Sequence, residues 1–231
     1  MKISLRLLQI VKFIPRGKVV ADIGTDHAYL PLYLISQGLC PYVIASEVNE
    51  KPYVNACAMV EQSGAGERIQ LRLGDGFAVL EPGEVEVAVI AGVGGRTIIN
   101  ILRAQPLVTE SISRFIFQPV TEIEELRLWL SRHYFAIIDA ALVADGGHIY
   151  QVIVAEHGVE PNASEILLVT GPCLVAKKDP LLPAYLSRLR QKEQEILAEI
   201  ERTAIWTPEN WQRMRYLKTR LSKLKEIEAC L

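Results

Sequence analysis

A chain of 231 residues, half of them hydrophobic and 23% charged, suits one medium domain with an appendage and is too apolar to be disordered. Its formal charge of −2 gives no general attraction to nucleic acid. Its four cysteines (Cys40, Cys57, Cys173 and Cys230) form no CxxC pair, which argues against a structural zinc site and for reduced thiols. No apolar run approaches the ~20 residues of a bilayer span, and Arg6, Gln9 and Lys12 interrupt the N-terminal segment where a signal peptide would be apolar. A soluble, cytoplasmic protein without a metal is expected.

Ile3, Leu7, Ile10, Val11 and Ile14 recur at helical spacing and predict a helix over about 3–14, ended by Pro15 and Gly17. Strand-like and helical stretches then alternate. Strands are expected at 18–24, 42–47, 69–73, 85–91 and 115–118, and helices at about 28–37, 51–63, 95–103 and 122–132. Such alternation marks a parallel sheet covered on both faces. Two further strand-like runs, 135–143 and 148–154, flank Asp145-Gly146-Gly147, where Asp-Gly signals a hairpin turn. The expected fold is therefore α/β: a Rossmann-like sheet of parallel strands closed by an antiparallel hairpin, the arrangement of class I methyltransferases, where a dinucleotide-binding fold would continue in parallel.

After residue 160 the texture changes. Gly171-Pro172, Asp179-Pro180 and Pro183 read as a loop-like linker. Leu182, Leu186, Leu189, Ile196 and Ile200 then form an apolar stripe that Glu193 interrupts. Met214, Leu217, Leu221, Leu224 and Ile227 form a second stripe. Thr207-Pro208 fits an N-cap followed by proline at the first helical position. Residues 1–160 are expected to form one domain, and 161–231 a linker and a coiled-coil-like helical hairpin. Residues 161–231 carry 12 basic and 9 acidic side chains, and six of the basic ones fall between Trp211 and Lys225 with no acid among them. Arg213, Arg220 and Lys223 flank the second stripe on one side, Arg215, Lys218 and Lys225 on the other. They can bind phosphate or simply solvate a helix face.

The expected strand ends carry acids. The first strand runs into Asp22-Ile23-Gly24-Thr25-Asp26-His27, where only Gly24 of the three fingerprint glycines of a dinucleotide site is present. An acid two residues after that glycine would repel a pyrophosphate, but could bond the amino-acid end of S-adenosylmethionine. Glu47 ends the second strand and suits two ribose hydroxyls. Asp75, between Gly74 and Gly76, ends the third and could accept from an adenine amino group. Each acid alone could be a cap or turn residue; three at successive strand ends favour a cofactor site. Ile90-Ala91-Gly92-Val93-Gly94-Gly95 lets backbone approach a ligand, though a tight turn would look the same. Neither an Asp/Asn-Pro-Pro-Tyr motif nor a Pro-Cys nucleophile stands in this loop, and Pro172-Cys173 reads as structural.

The segments DIGTDHAYLP (22–31), SEVNEKPY (46–53), LGDG (73–76), IAGVGG (90–95) and FQP (117–119) together resemble the bacterial tRNA (adenine-22-N1)-methyltransferase family over nearly the whole chain. The resemblance implies S-adenosylmethionine as cofactor and tRNA as substrate. It places Asp22, Gly24, Asp26 and His27 at the methionine end, Glu47 at the ribose and Asp75 at the adenine, with Gly76, Ala91 and Gly92 also against the cofactor. Gly92, Gly94, Gly95, Gln118 and Pro119 would border the target base, while Arg213, Arg215, Lys218 and Arg220 would meet the tRNA. The family pattern is broken at Thr25, Ser46, Val93 and Val120, the last two beside the acceptor base.

Adenine N1 carries a lone pair and no proton, so transfer needs positioning and nearby acceptors, with no covalent intermediate. Asp26 is the candidate to offset the positive charge that moves toward the base, with His27 orienting it or only supporting the loop. Two other readings stand beside this one: a methyltransferase of the same fold acting on a small molecule, and a non-catalytic module that binds cofactor or RNA.

Overall fold

Val20–Ile23 (β1), Val43–Glu47 (β2), Ile69–Leu73 (β3), Val87–Val93 (β4), Arg114–Pro119 (β5), Phe135–Asp145 (β6) and His148–His157 (β7) form one sheet in the order β3-β2-β1-β4-β5-β7-β6. The first five strands are parallel, and β7 runs antiparallel to both β5 and β6. This is the hairpin-closed sheet expected of a class I methyltransferase. The hairpin turn sits one residue later than the Asp-Gly signal suggests. Asp145 still pairs with His148, so Gly146 and Gly147 are the central residues, at φ +54° and +81°. Two successive positive φ values are what a two-residue hairpin loop demands and glycine supplies.

The computed structural model describes residues 2–159, 170–203 and 207–229. In the N-terminal part the helices are Leu5–Val11 (α1), Tyr29–Ser36 (α2), Glu50–Ser63 (α3), Gly95–Ala104 (α4), Pro106–Ser111 (α5) and Ile123–Arg132 (α6). Ser4 caps α1 by accepting from the Leu7 N–H, which trims the expected helix start to residue 5. Ile10 of α1, Leu30 and Leu34 of α2, and Ala56 and Val60 of α3 share one buried cluster with Val87, Val89 and Ile116 of the sheet. Side chains alternate along a strand, so Phe115 and Phe117 serve the other face, where Ile98 and Leu102 of α4 and Leu126 and Leu130 of α6 are also buried.

The chain divides into two compact units, Met1–Asn162 and Ala163–Leu231. In the second, the stretch read as linker contains a short helix, Pro172–Ala176 (α7), with proline at its first turn; residues 161–169 of the expected linker lie outside the described residues. Leu182–Thr203 (α8) and Pro208–Ala229 (α9) follow and pack on each other as the expected antiparallel hairpin. Thr207 Oγ1 accepts from the Asn210 N–H, as its N-cap reading requires. The interruption at Glu193 has a partner: its carboxylate, 6% exposed, receives the Arg220 guanidinium from the facing helix. Among the described residues, Cys40, Cys57 and Cys173 form no disulfide, and Cys230 lies outside the described residues. No helix among the described residues is long and apolar enough to cross a membrane.

Candidate active site

The turn after β1 is held against the end of β2. The N–H groups of Gly24 and Thr25 both donate to the Ser46 carbonyl, at 2.9 and 2.8 Å. Gly24 has φ +77°, and the space a Cβ would enter is open. Asp26 and Ala28 also have positive φ, 52° and 56°. That conformation is uncommon for residues with a side chain and is held only where the surroundings enforce it. The Asp22 carboxylate lies beneath this turn, 6% exposed, and accepts from Thr25 Oγ1 at 2.7 Å. Burial pushes its pKa up to about 6, against the Thr25 hydrogen bond and the charge of Arg6, which pull it down; Glu47 adds to the rise. Asp26, by contrast, points outward with its side chain 67% exposed, 3.5 Å from His27 Nε2. The His27 ring lies 5.4 Å from that of Tyr29.

Glu47, at the end of β2, is 6% exposed. Its Oε1 accepts from the Val48 N–H, the Asn49 N–H and Asn49 Nδ2 at 3.0, 3.0 and 3.1 Å. Its Oε2 accepts from the Asp26 N–H at 3.3 Å. The residue expected to hold a ribose therefore also ties the β1 and β2 turns together. Asp75 is exposed at the start of a one-turn helix, Gly76–Val79. Gly76 is buried at φ +54°, and a Cβ there would fall 2.9 Å from Ile101 Cγ1, so it admits close packing of α4.

At the ends of β4 and β5 the register jumps between Ala91 and Val93, leaving Gly92 as a bulge at φ +80°. Gly94 and Gly95 pack against the 121–122 turn. A Cβ on Gly94 would lie 2.8 Å from Glu122 Oε2 and 2.9 Å from Thr121 Oγ1, and one on Gly95 would strike the Glu122 carbonyl. The Gly95 N–H donates to the Thr121 carbonyl at 2.9 Å. Both glycines admit the close approach of the 121–122 turn. Gln118 is 0% exposed, and both ends of its amide are used: Oε1 accepts from Arg6 Nη1, and Nε2 donates to the Pro119 carbonyl at 3.2 Å. Pro119 is buried beside it, while Val120 is 48% exposed.

Arg6 is the residue that sequence reading missed. It was counted only as a polar interruption of the first helix. Its guanidinium reaches Gln118, lies 5.7 Å from the centre of the Tyr150 ring and approaches Gly92. Its own N–H is held by Asp145 Oδ2 at 3.1 Å. Three elements distant in sequence thus meet over the end of β5, and no local pattern announces it.

Buried Asp22, Glu47 and exposed Asp26 crowd one turn, with Arg6 the nearby cation. This arrangement repels phosphate and suits a ligand that is itself cationic. A model of the tRNA (adenine(22)-N(1))-methyltransferase family matches residues 20–226. The chain belongs to that family. It is 34% identical to the tRNA (adenine(22)-N(1))-methyltransferase of Bacillus subtilis over 98% of this chain and 97% of the relative. The crystal structure of the B. subtilis m1A22 tRNA methyltransferase superposes with a TM-score of 0.87 at 34% identity, covering 98% of each chain. A Streptococcus pneumoniae protein solved in complex with S-adenosyl-L-methionine gives 0.83 at 32% identity, covering 98% of this chain and 99% of that one. A Mycoplasma capricolum m1A22 enzyme homologue solved with S-adenosyl-homocysteine gives 0.84 at 27%, covering 100% of both.

The family's tRNA substrate turns attention to the basic stretch of α9. Arg213, Arg215, Lys218 and Lys225 are exposed. Lys218 lies 3.0 Å from Glu201, both side chains about half exposed. Arg220 differs: its side chain is 14% exposed, bound to Glu193, with Nη1 donating to Tyr216 Oη at 3.1 Å. It serves the hairpin's interior.

Proposed function

We propose that this chain transfers a methyl group from S-adenosylmethionine to N1 of adenine 22 in tRNA, the reaction for which its family is named. The observation that carries the reading is the acidic, glycine-opened turn at the β1 and β2 ends, formed by Asp22, Gly24, Asp26 and Glu47. The fit to the cofactor is physical. Space is open above Gly24, carboxylates suit an ammonium and a sulfonium, and the buried Ser46 Oγ has no hydrogen-bond partner among the described residues. Asp22, Gly24 and Asp26 would receive the methionine end, Glu47 Oε2 the ribose, and Asp75 the adenine, with Gly76, Ala91 and Gly92 shaping the adjoining wall.

The cofactor supplies a methyl group activated on a sulfonium. The protein's work is to hold the acceptor N1 in line and offset the charge that passes to the base. Exposed Asp26 would do the latter, steadied by His27. Gln118 is fully buried and bonded at both ends, so it would shape the base site from beneath, with Pro119 and Val120 at its rim. Arg215, Lys218 and Lys225, along one flank of α9, would hold tRNA phosphates. Acting on tRNA, the enzyme would work in the cytoplasm. Labelled S-adenosylmethionine and unmodified tRNA provide the test. The expected product is 1-methyladenosine, absent when adenine 22 is replaced by guanine; N6-methyladenine, or transfer only to small molecules, overturns the reading.

A further inference from the structure

A groove of about 460 Å³ runs along the outer surface of the catalytic unit between α4 and α6. Arg96, Asn100 and Arg103 line it from α4; Trp129, Arg132 and His133 from α6 and its end. We propose that the lower end of this groove grips the phosphodiester backbone of the tRNA, a contact separate from the basic stretch of α9. The inference rests on the tRNA methyltransferase reading above.

The two ends of the groove differ in charge. At the upper end, next to the β4 and β5 termini, Arg96 is neutralised: its guanidinium lies 2.8 Å from Glu125, and its N–H donates to Glu122 Oε2 at 3.3 Å. At the lower end Arg103 and Arg132 stand in the last turns of α4 and α6. Both are exposed, and neither has a salt-bridge partner among the described residues. Two arginines without carboxylates, with the Asn100 amide lining the same groove, make an anion site, and guanidinium forks match phosphate geometry. Beside them His133 stacks on Trp129, ring centroids 4.1 Å apart and planes 13° from parallel. An exposed flat ring among arginines is what an unpaired base or a sugar-phosphate edge can lie against. Residues 1–160 hold 13 basic and 18 acidic side chains, so this unpaired pair is a local exception on an acidic unit. Because α4 starts at the site's edge, the ten residues to its end put the grip about 15 Å away along the helix. A polymeric substrate spans such a distance; a small one does not.

An arginine in a last turn also complements the helix dipole, and a role confined to that would show in stability alone. The test is R103Q/R132Q in the full-length chain, with R103K/R132K as charge-preserving control. The expected result is at least fivefold weaker binding of unmodified tRNA, with the slope of log affinity against log salt flatter by roughly 1.5, at ~0.7–0.9 per lost phosphate contact. Affinity for S-adenosylmethionine and turnover at saturating tRNA should hold, and the lysine pair should restore most of the salt slope. Unchanged tRNA affinity and slope in R103Q/R132Q, with the wild type active on tRNA, overturn the groove alone. A wild-type chain that leaves tRNA unmethylated overturns the functional reading and the groove together.

Discussion

Arg6, on the first helix, donates a hydrogen bond to the side-chain carbonyl of Gln118, a wholly buried residue 112 positions later. It also supplies positive charge to Asp22. Arg6→Ala would strand the Gln118 oxygen without its donor, at a cost of about 1–3 kcal/mol. Thermal denaturation should show that loss, and Arg6→Lys should recover part of it. Turnover should fall in the alanine variant more than cofactor affinity does, since Gln118 is proposed to shape the base site. Equal stability of wild type and Arg6→Ala would mean that the bond contributes nothing.

Asp22 gives the pH dependence a definite sign. Burial raises its folded pKa from 3.8 to about 6, so the folded state binds the proton more tightly than the unfolded chain. The contribution to stability is fully present below pH ~4 and is lost as pH rises through about 6; the difference corresponds to about 3 kcal/mol. Asp22→Asn should therefore stabilise the cofactor-free protein at pH 8 and make little difference at pH 4. Cofactor affinity should move the other way, weakening in the wild type as pH drops through 6. Denaturation midpoints and calorimetry across that range would settle both, and a flat affinity profile would take Asp22 out of the cofactor site.

Glu47 carries two duties. Four donors already converge on its carboxylate, so Glu47→Ala should lower both S-adenosylmethionine affinity and stability, the latter by about 1–3 kcal/mol. Gly24→Ala makes a contrast. Open space surrounds that position, but its φ of +77° costs an L-residue roughly 1–2 kcal/mol. Cofactor affinity that survives Glu47→Ala while stability falls would make Glu47 purely a support for the turns.

How much of this was legible in the sequence depends on how far apart the causes lie. The sequence pattern places Ile69–Leu73 at its observed bounds and the other parallel strands within two residues, because β-branched runs between turn residues are a local signal. Pro106–Ser111 and Pro172–Ala176 were not read as helices: six and five residues give too few turns for a period to register. Asp22 and Glu47 stood out as acids at strand ends, and the structure does bring them together. Arg6 and the glycine pair 94–95 depend on tertiary neighbours, Gln118 for the first and the 121–122 turn for the second. A sequence pattern cannot distinguish a glycine that admits a ligand from one that admits a neighbouring loop.

The Glu193–Arg220 pair is an ionic contact inside the helical hairpin's apolar seam, with both side chains mostly buried. Burial pushes the Glu193 carboxyl up, against the charge of Lys192, and the facing Arg220 guanidinium bonds its Oε1. Removing one partner should cost more than removing both. Arg220→Ala would leave an uncompensated acid, at about 3–5 kcal/mol, while Glu193→Leu with Arg220→Met should be near neutral or stabilising. Chemical denaturation of the four variants measures the coupling. Additive losses would show that the two side chains do not sense each other.

That pair also decides which side of α9 should meet tRNA. Neutralising Arg213, Arg220 and Lys223 together would break the seam, so a loss of tRNA binding there could be a folding effect. The opposite flank is free of that ambiguity. Arg215 and Lys225 are exposed, and Lys218 pairs with the half-exposed Glu201, a surface pair worth at most about 1 kcal/mol that a phosphate can displace. Arg215, Lys218 and Lys225 replaced by glutamine should therefore weaken tRNA binding clearly, and flatten log affinity against log salt by roughly 2, at ~0.7–0.9 per contact. Replacing only Arg213 and Lys223 should do little. S-adenosylmethionine affinity should be unchanged in both, because the proposed cofactor residues belong to the first unit. If the glutamine triplet binds tRNA with wild-type affinity and salt slope, this flank is a solvated helix face, and the hairpin contributes to something other than phosphate contact.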